Sequence, residues 1–173
     1  MREIIAETDR ITLRDITVDD TDNIIRWRNS KHVMDNFIQR TPLTKEVHLD
    51  WLKNKVAKGF VRQFIITEKA TGQDIGSVYF RDIDNEKKEG EFGIFIGEED
   101  RLGHGYGVEV QELAVRFATE EMGLRRIKLR VLADNIPAIK TYEKCGFIVV
   151  PDEKMDVDIE GTIRTVIFME AVY

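Results

Sequence analysis

The chain has 173 residues, 42% apolar and 34% charged, which suits one ordinary domain with a core of its own and gives no sign of disorder. Lys and Arg number 26 against 32 Asp and Glu, a net charge of −6, so the surface repels phosphate polymers and no nucleic acid is expected as a partner. The single cysteine, Cys145, excludes an intramolecular disulfide framework and cysteine-rich zinc modules; with acidic residues at the start and no run of about 18 apolar residues, a cytoplasmic chain outside the membrane is expected.

In chain order, Ile11, Leu13 and Ile16 close a first strand that Ile4 and Ile5 can begin. Asp19 or Asp20 then caps a helix through Ile24, Ile25 and Trp27. Residues 30–42 read as a polar, irregular stretch. Thr44 caps a second helix in which Val47 and Trp51, like Leu52 and Val56, lie i, i+4 apart, and Gly59 ends it. Phe60 to Thr67, Ile75 to Phe80 and Glu91 to Ile96 read as a three-strand antiparallel meander. From Gly105 to Met122 the apolar spacing is helical, with Gly123 as terminator. Ile127, Leu129 and Val131 alternate as a strand, and a helix opening near Pro137 stops at Gly146. Phe147 to Val150 and Arg164 to Val172 are the last strands, joined by an acidic loop ending at Gly161. The expectation is a mixed α/β (α+β) fold, residues 1–173 forming one domain with a mostly antiparallel sheet of about seven strands and about four helices.

Chemistry concentrates in Arg101-Leu102-Gly103-His104-Gly105-Tyr106-Gly107, which follows a strand and opens a long amphipathic helix. Glycine lets a backbone approach a ligand closely, and the free N–H groups of a helix's first turn attract an anion such as a pyrophosphate. The segment is not a dinucleotide fingerprint, because Val108 stands where its third glycine belongs. Nor is it a Walker loop, because Val108 and Glu109 follow Gly107. A glycine-rich turn without a ligand remains the alternative. The second informative segment is Asn135-Ile136-Pro137-Ala138-Ile139-Lys140-Thr141-Tyr142-Glu143-Lys144-Cys145-Gly146-Phe147, directly after a strand.

Together these segments resemble the GNAT superfamily of acyl-CoA-dependent N-acyltransferases, most specifically from Glu91 to Phe147. That family's pyrophosphate loop reads Gln/Arg-x-x-Gly-x-Gly/Ala, and its later helix carries Asn, then Tyr, then Gly-Phe. The resemblance implies a strand splayed from its neighbour at Glu91-Phe92-Gly93-Ile94-Phe95-Ile96 to admit pantetheine, with acetyl-CoA as acyl donor. In register, the family's Gln or Arg falls on Leu102, and Arg101 stands one residue early and is expected to reach a phosphate. Cofactor contacts are expected from Phe95, Ile96, Arg101, Gly103, His104, Gly105, Tyr106, Gly107, Asn135, Lys140 and Tyr142.

Amide formation from a thioester needs a neutral amine, a polarised carbonyl and a proton for the departing thiolate. By the resemblance Tyr142 supplies that proton, a backbone N–H near Phe95 polarises the carbonyl, and Glu91 on the splayed strand is the candidate base. Each has a structural alternative: Tyr142 as core aromatic, Glu91 as solvated charge, Asn135 as helix cap, Lys140 as surface lysine. Cys145 reads as a small buried filler. His32, His48 and His104 show no metal-ligand spacing, so no metal is expected.

The acceptor is expected to meet the segment from Ile24 to Lys58, with Trp27, Arg28, Asn29 and His48 as substrate contacts and Trp27 and Trp51 alternatively in the core. This pattern is similar to the RimJ/RimL-like branch and to acetyltransferases of 4-amino nucleotide sugars. An amino nucleotide sugar, a polyamine or a protein N-terminus stays open as acceptor, and a monomer or homodimer as assembly. The alternative function is a CoA-binding sensor or interaction module without turnover.

Overall fold

A computed structural model describes residues 3–173; Met1 and Arg2 lie outside the described residues. Two short strands, β1 (Ala6–Glu7) and β2 (Ile11–Asp15), lead into helices α1 (Thr21–Arg28), α2 (Lys31–Met34) and α3 (Lys45–Trp51), the last extended by a wide turn over Leu52–Val56. The meander β3 (Val61–Glu68), β4 (Asp74–Asp84) and β5 (Glu89–Ile96) follows. Then come α4 (Tyr106–Glu120), β6 (Arg126–Leu132), α5 (Ile136–Lys144) and the hairpin of β7 (Ile148–Ile159) and β8 (Thr162–Val172). The described strands form an 8-stranded sheet in the order β1-β2-β3-β4-β5-β6-β8-β7. Every neighbouring pair is antiparallel except β5 and β6.

Local chemistry accounts for most element ends. The Thr44 hydroxyl accepts from the Val47 N–H at the start of α3, and the Asn135 side chain accepts from the Ala138 N–H at the start of α5. Gly123 and Gly146 carry φ of +69° and +87° just past α4 and α5, a left-handed conformation that suits glycine. The buried Arg14 guanidinium spans Asp20, at 2.8 and 2.9 Å, and Asp74, at 2.6 Å, fastening β2 to the head of α1 and to β4.

The architecture matches the expected class with three local corrections. The first strand is two, because β1 turns back at Thr8 to pair with β2 through only two residues, too few to show an alternation. The irregular stretch contains the short helix α2. The acidic loop up to Gly161 is instead most of β7, which pairs with β8 apart from a bulge between Val149 and Lys154. An edge strand with both faces largely in water carries no apolar alternation, so nothing in its sequence marks it as a strand.

The sheet has two covered faces. Phe64, Phe80 and Phe92 pack with Val110, Leu113 and Ala114 of α4 on one, while Ile65 and Phe95 pack with Ile24 and Trp27 of α1 and Val33 of α2 on the other. Strand alternation thus sends Phe92 and Phe95 to opposite sides. Pairing of β5 with β6 is confined to Glu89, Gly90 and Glu91 against Arg126, Ile127 and Lys128. Beyond Glu91 the two strands part, β5 staying with β4 and β6 with β8.

Candidate active site

The parting of β5 and β6 leaves backbone groups of β5 facing a gap. Gly97 donates its N–H to the Ile75 carbonyl of β4 at 2.7 Å, while the Lys88 carbonyl accepts from Arg126 on the β6 side. Alternation between those points turns the odd-numbered amides toward β4 and those of Phe92, Ile94 and Ile96 toward the gap. The Ile96 carbonyl accordingly stands 3.3 Å from His32 Nε2. The expected donor near Phe95 is thus located at its neighbours Ile94 and Ile96, since the Phe95 amide itself faces β4 and its ring packs edge-on against Trp27 and Phe37.

The glycine loop leads from β5 into α4. Gly105 is the N-cap of α4 with φ +80°, and Gly103 has φ +77°. A Cβ at Gly103 or Gly107 would meet no atom within 4 Å, so the backbone is open to an approaching group. Arg101 is placed differently from its expectation: its guanidinium contacts Glu68 at 3.1 Å, Asp100 at 2.6 Å and Gln73 at 3.4 Å. Glu68 is buried and also accepts from the Tyr106 hydroxyl at 2.5 Å, so it draws both side chains under the loop. Hydrogen bonds from Thr71 and Tyr106 hold the Glu68 carboxyl below its ordinary pKa. Arg10, which sequence reasoning missed, braces the loop from the β1–β2 turn: it donates to the His104 carbonyl at 3.0 Å, lies 4.6 Å from the Tyr106 ring centre and pairs with Glu109. Only the hairpin's return brings a residue so distant in sequence to this place.

Tyr142 projects from α5 against Phe92, the first residue of β5 beyond its pairing with β6, with ring centres 6.4 Å apart and planes at 90°. Phe147 flanks it at 6.1 Å. Its hydroxyl has no hydrogen-bond partner among the described residues, and burial, with Tyr79 nearby, pushes its pKa well above the phenol's ordinary value. Glu91 is the last residue of β5 paired with β6, and its Oε1 receives Arg81 at 2.5 Å and Arg130 at 2.9 Å. Burial raises the Glu91 pKa while Arg81 opposes the rise. Tyr79 lies across Gly93, where a Cβ would come within 2.3 Å of its ring, and feels the charges of Arg81, Arg28 and Glu91. Tyr142, Glu91, Tyr79 and Arg28 therefore share the surroundings of the gap.

Other expected contacts turn out to hold the frame. Trp27 is fully buried, donates its indole N–H to Glu98 at 2.9 Å and fills the space over Gly97. Asn29 gives and takes hydrogen bonds with the Leu43 backbone at 2.9 and 2.7 Å, closing the loop before α3. His48 is buried with Nδ1 at 3.2 Å from the Thr21 hydroxyl, and burial keeps its pKa below the usual imidazole range. The Trp27 indole N–H and the Asn29 amide are engaged within the fold, whereas His48 Nε2 is buried without a hydrogen-bond partner. Asn135 caps α5 and reaches Asn36 at 3.1 Å. Lys140 is exposed with no ion-pair partner among the described residues. Cys145 is partly buried and its thiol pKa is pushed up to about 11 by that burial, an inert sulfur at neutral pH. Among the described residues no group of three or more His, Cys, Asp or Glu could hold a metal ion, and no helix is long and apolar enough to cross a membrane.

The sheet is opened beside its fifth strand, and a glycine loop heading a long helix follows that strand. Residues 10–148 match the model of the acetyltransferase (GNAT) domain, and the chain belongs to that family. It is 28% identical over 145 residues to an uncharacterized protein of Methanocaldococcus jannaschii, a match that covers 83% of this chain and only 29% of that longer protein. It is 27% identical over 139 residues to spermidine N(1)-acetyltransferase of Vibrio cholerae, covering 80% of this chain and 79% of that one. The crystal structure of spermidine N-acetyltransferase from Vibrio cholerae in complex with CoA and spermine superposes with a TM-score of 0.87 at 22% identity, over 95% of this chain and 96% of that one. That likeness establishes the fold.

Proposed function

We propose that this chain transfers the acetyl group of acetyl-CoA to a primary amine by direct attack within a ternary complex. The observation that carries the reading is the convergence on one gap of three features: open β5 amides, the glycine-headed N-terminus of α4 nearby, and a partnerless phenol, Tyr142. Acetyl-CoA supplies an acyl group activated as its thioester. The amides of residues 103–107 and the α4 dipole suit its diphosphate, and the absence of atoms over Gly103 and Gly107 leaves room for it.

The gap-side N–H groups of Ile94 and Ile96 polarise the thioester carbonyl. Tyr142, kept protonated by its burial, donates the proton that the thiol takes on leaving. Glu91, its Oε1 fixed by Arg81 and Arg130, accepts the proton of the amine through its other oxygen, directly or through water. Similarity to spermidine N(1)-acetyltransferase supports a small-molecule amine over a protein terminus as acceptor. The segment Trp27-Arg28-Asn29 supports placement in the RimJ/RimL-like branch.

The test is thiol release from acetyl-CoA by the purified protein across a panel of primary amines, beside calorimetric binding of acetyl-CoA, ATP and NAD. Amine-dependent thiol release is expected. Tight acetyl-CoA binding with no release from any amine would make the protein a coenzyme-binding module, and binding of NAD without acetyl-CoA would remove the coenzyme reading.

A further inference from the structure

Arg28 ends α1 with its guanidinium centred 3.8 Å from the middle of the Phe37 ring. It is largely shielded from solvent, its Nε is buried without a hydrogen-bond partner, and no carboxylate stands within ion-pair distance of it among the described residues. Other shielded arginines do face carboxylates: Arg14 has Asp20 and Asp74, Arg101 has Glu68, and Arg81 and Arg130 share Glu91. A cation withdrawn from water without an anion destabilises the fold, so Arg28, unpaired in a chain with 32 acidic residues, is suited to meet an external anion.

The position is at the gap. Phe37, under the guanidinium, packs edge-on against Phe95 at 5.9 Å, and Phe95 belongs to the parted half of β5. Tyr79, over Gly93 in the same half, senses Arg28 and Arg81 together. Of the carboxylates close by, Glu91 already receives two guanidiniums and Asp82 lies 3.7 Å from Arg81. Arg28, Arg81 and Arg130 face two carboxylates, Glu91 and the exposed Asp82 beside Arg81, which leaves one cation in excess on this side although the whole chain carries −6, and that excess disfavours a polycation there. Contact with the Phe37 face holds the guanidinium carbon 3.8 Å from the ring centre, and the guanidinium N–H groups are the fork that matches phosphate or carboxylate oxygens.

We propose that Arg28 binds an oxyanion of the acceptor, so that the preferred acceptor is an amine that also carries a phosphate or a carboxylate. The proposal rests on the acetyl-transfer reading and sharpens it. It sets this chain apart from a polyamine acetyltransferase at the level of substrate charge.

The experiment measures kcat/KM for thiol release from acetyl-CoA with ethanolamine, O-phosphoethanolamine, β-alanine and spermidine, using the full chain and the variants Arg28→Gln and Arg28→Lys, each checked for an unchanged melting curve. In the wild type the phosphate-bearing or the carboxylate-bearing amine is expected to exceed ethanolamine by about 10- to 100-fold, mainly through KM. Whichever leads identifies the oxyanion. Arg28→Gln brings that ratio to within about twofold and Arg28→Lys leaves it intermediate, since an ammonium keeps the charge but not the fork. A wild type that uses spermidine best, or an anionic preference that survives Arg28→Gln, overturns the proposal while acetyl transfer stands. Thiol release from none of the amines overturns both.

Discussion

Replacing Tyr142 by Phe removes one oxygen from the site and little else. The ring keeps its edge-on contact with Phe92 at 6.4 Å and its contact with Phe147 at 6.1 Å, so the coenzyme-side surface keeps its shape. The lost hydroxyl has no partner among the described residues and its side chain is only partly buried, so its removal changes stability by no more than about 1 kcal/mol. For a chain of this size that is a melting shift of about 2–4 °C at most. If Tyr142 is the proton donor, kcat instead falls by about 10²- to 10⁴-fold, or about 2.7–5.5 kcal/mol of barrier. Because burial raises the phenol's pKa, its ionisation sets no limit on the rate at neutral pH. Initial rates of thiol release at saturating acetyl-CoA, together with the calorimetric Kd for acetyl-CoA, separate the two effects. A variant with kcat within twofold of wild type would remove Tyr142 from the chemistry, and a Kd that rises as far as kcat falls would make it a binding residue.

Gly105→Val puts a β-branched side chain at φ +80°, where an L residue is strained by about 1–2 kcal/mol, and adds bulk on the loop beside Arg10. The Kd for acetyl-CoA is expected to rise by about tenfold or more; wild-type affinity would move the phosphate site elsewhere. Glu91→Gln is expected to lower kcat by about 10²-fold at pH 7. That deficit shrinks as pH approaches the acceptor amine's own pKa, about 10 for an alkylamine, because the amine then arrives deprotonated. A deficit equal at all pH values would mean that Glu91 only anchors Arg81 and Arg130. Gly97→Ala places a Cβ 2.1 Å from the Trp27 indole, inside contact distance, with a rigid ring that cannot step aside. A loss of about 1–3 kcal/mol is expected, read as a lower melting temperature, and an unchanged one would show that α1 shifts freely on the sheet.

Much of this was legible in one dimension. Thr44 and Asn135 announce helix starts because their short polar side chains reach the backbone three residues on. Gly123 and Gly146 announce helix ends because the left-handed turn there suits a residue without Cβ. The glycine loop and Tyr142 lie in contiguous segments whose spacing survives folding unchanged. The acceptor side was not legible in this way. Trp27, Asn29 and His48 are polar or amphipathic residues in the segment expected to meet the acceptor, yet Glu98, Leu43 and Thr21 engage the Trp27 indole, the Asn29 amide and His48 Nδ1 from within. Their partners lie up to 71 residues away, beyond the reach of any local pattern. Arg101 shows the same limit, since the buried Glu68 that claims it comes from another strand.

By itself, then, the sequence determined the mixed fold, most of its elements and the glycine loop that heads α4, because caps, periodicity and glycine conformations act over a few residues. Only the tertiary structure decided where β5 leaves β6, which β5 amides face the gap, and which arginines are neutralised. Those are questions of pairing between distant strands, and Arg28 stands out because the packing sets its guanidinium on Phe37 with no carboxylate within ion-pair distance among the described residues.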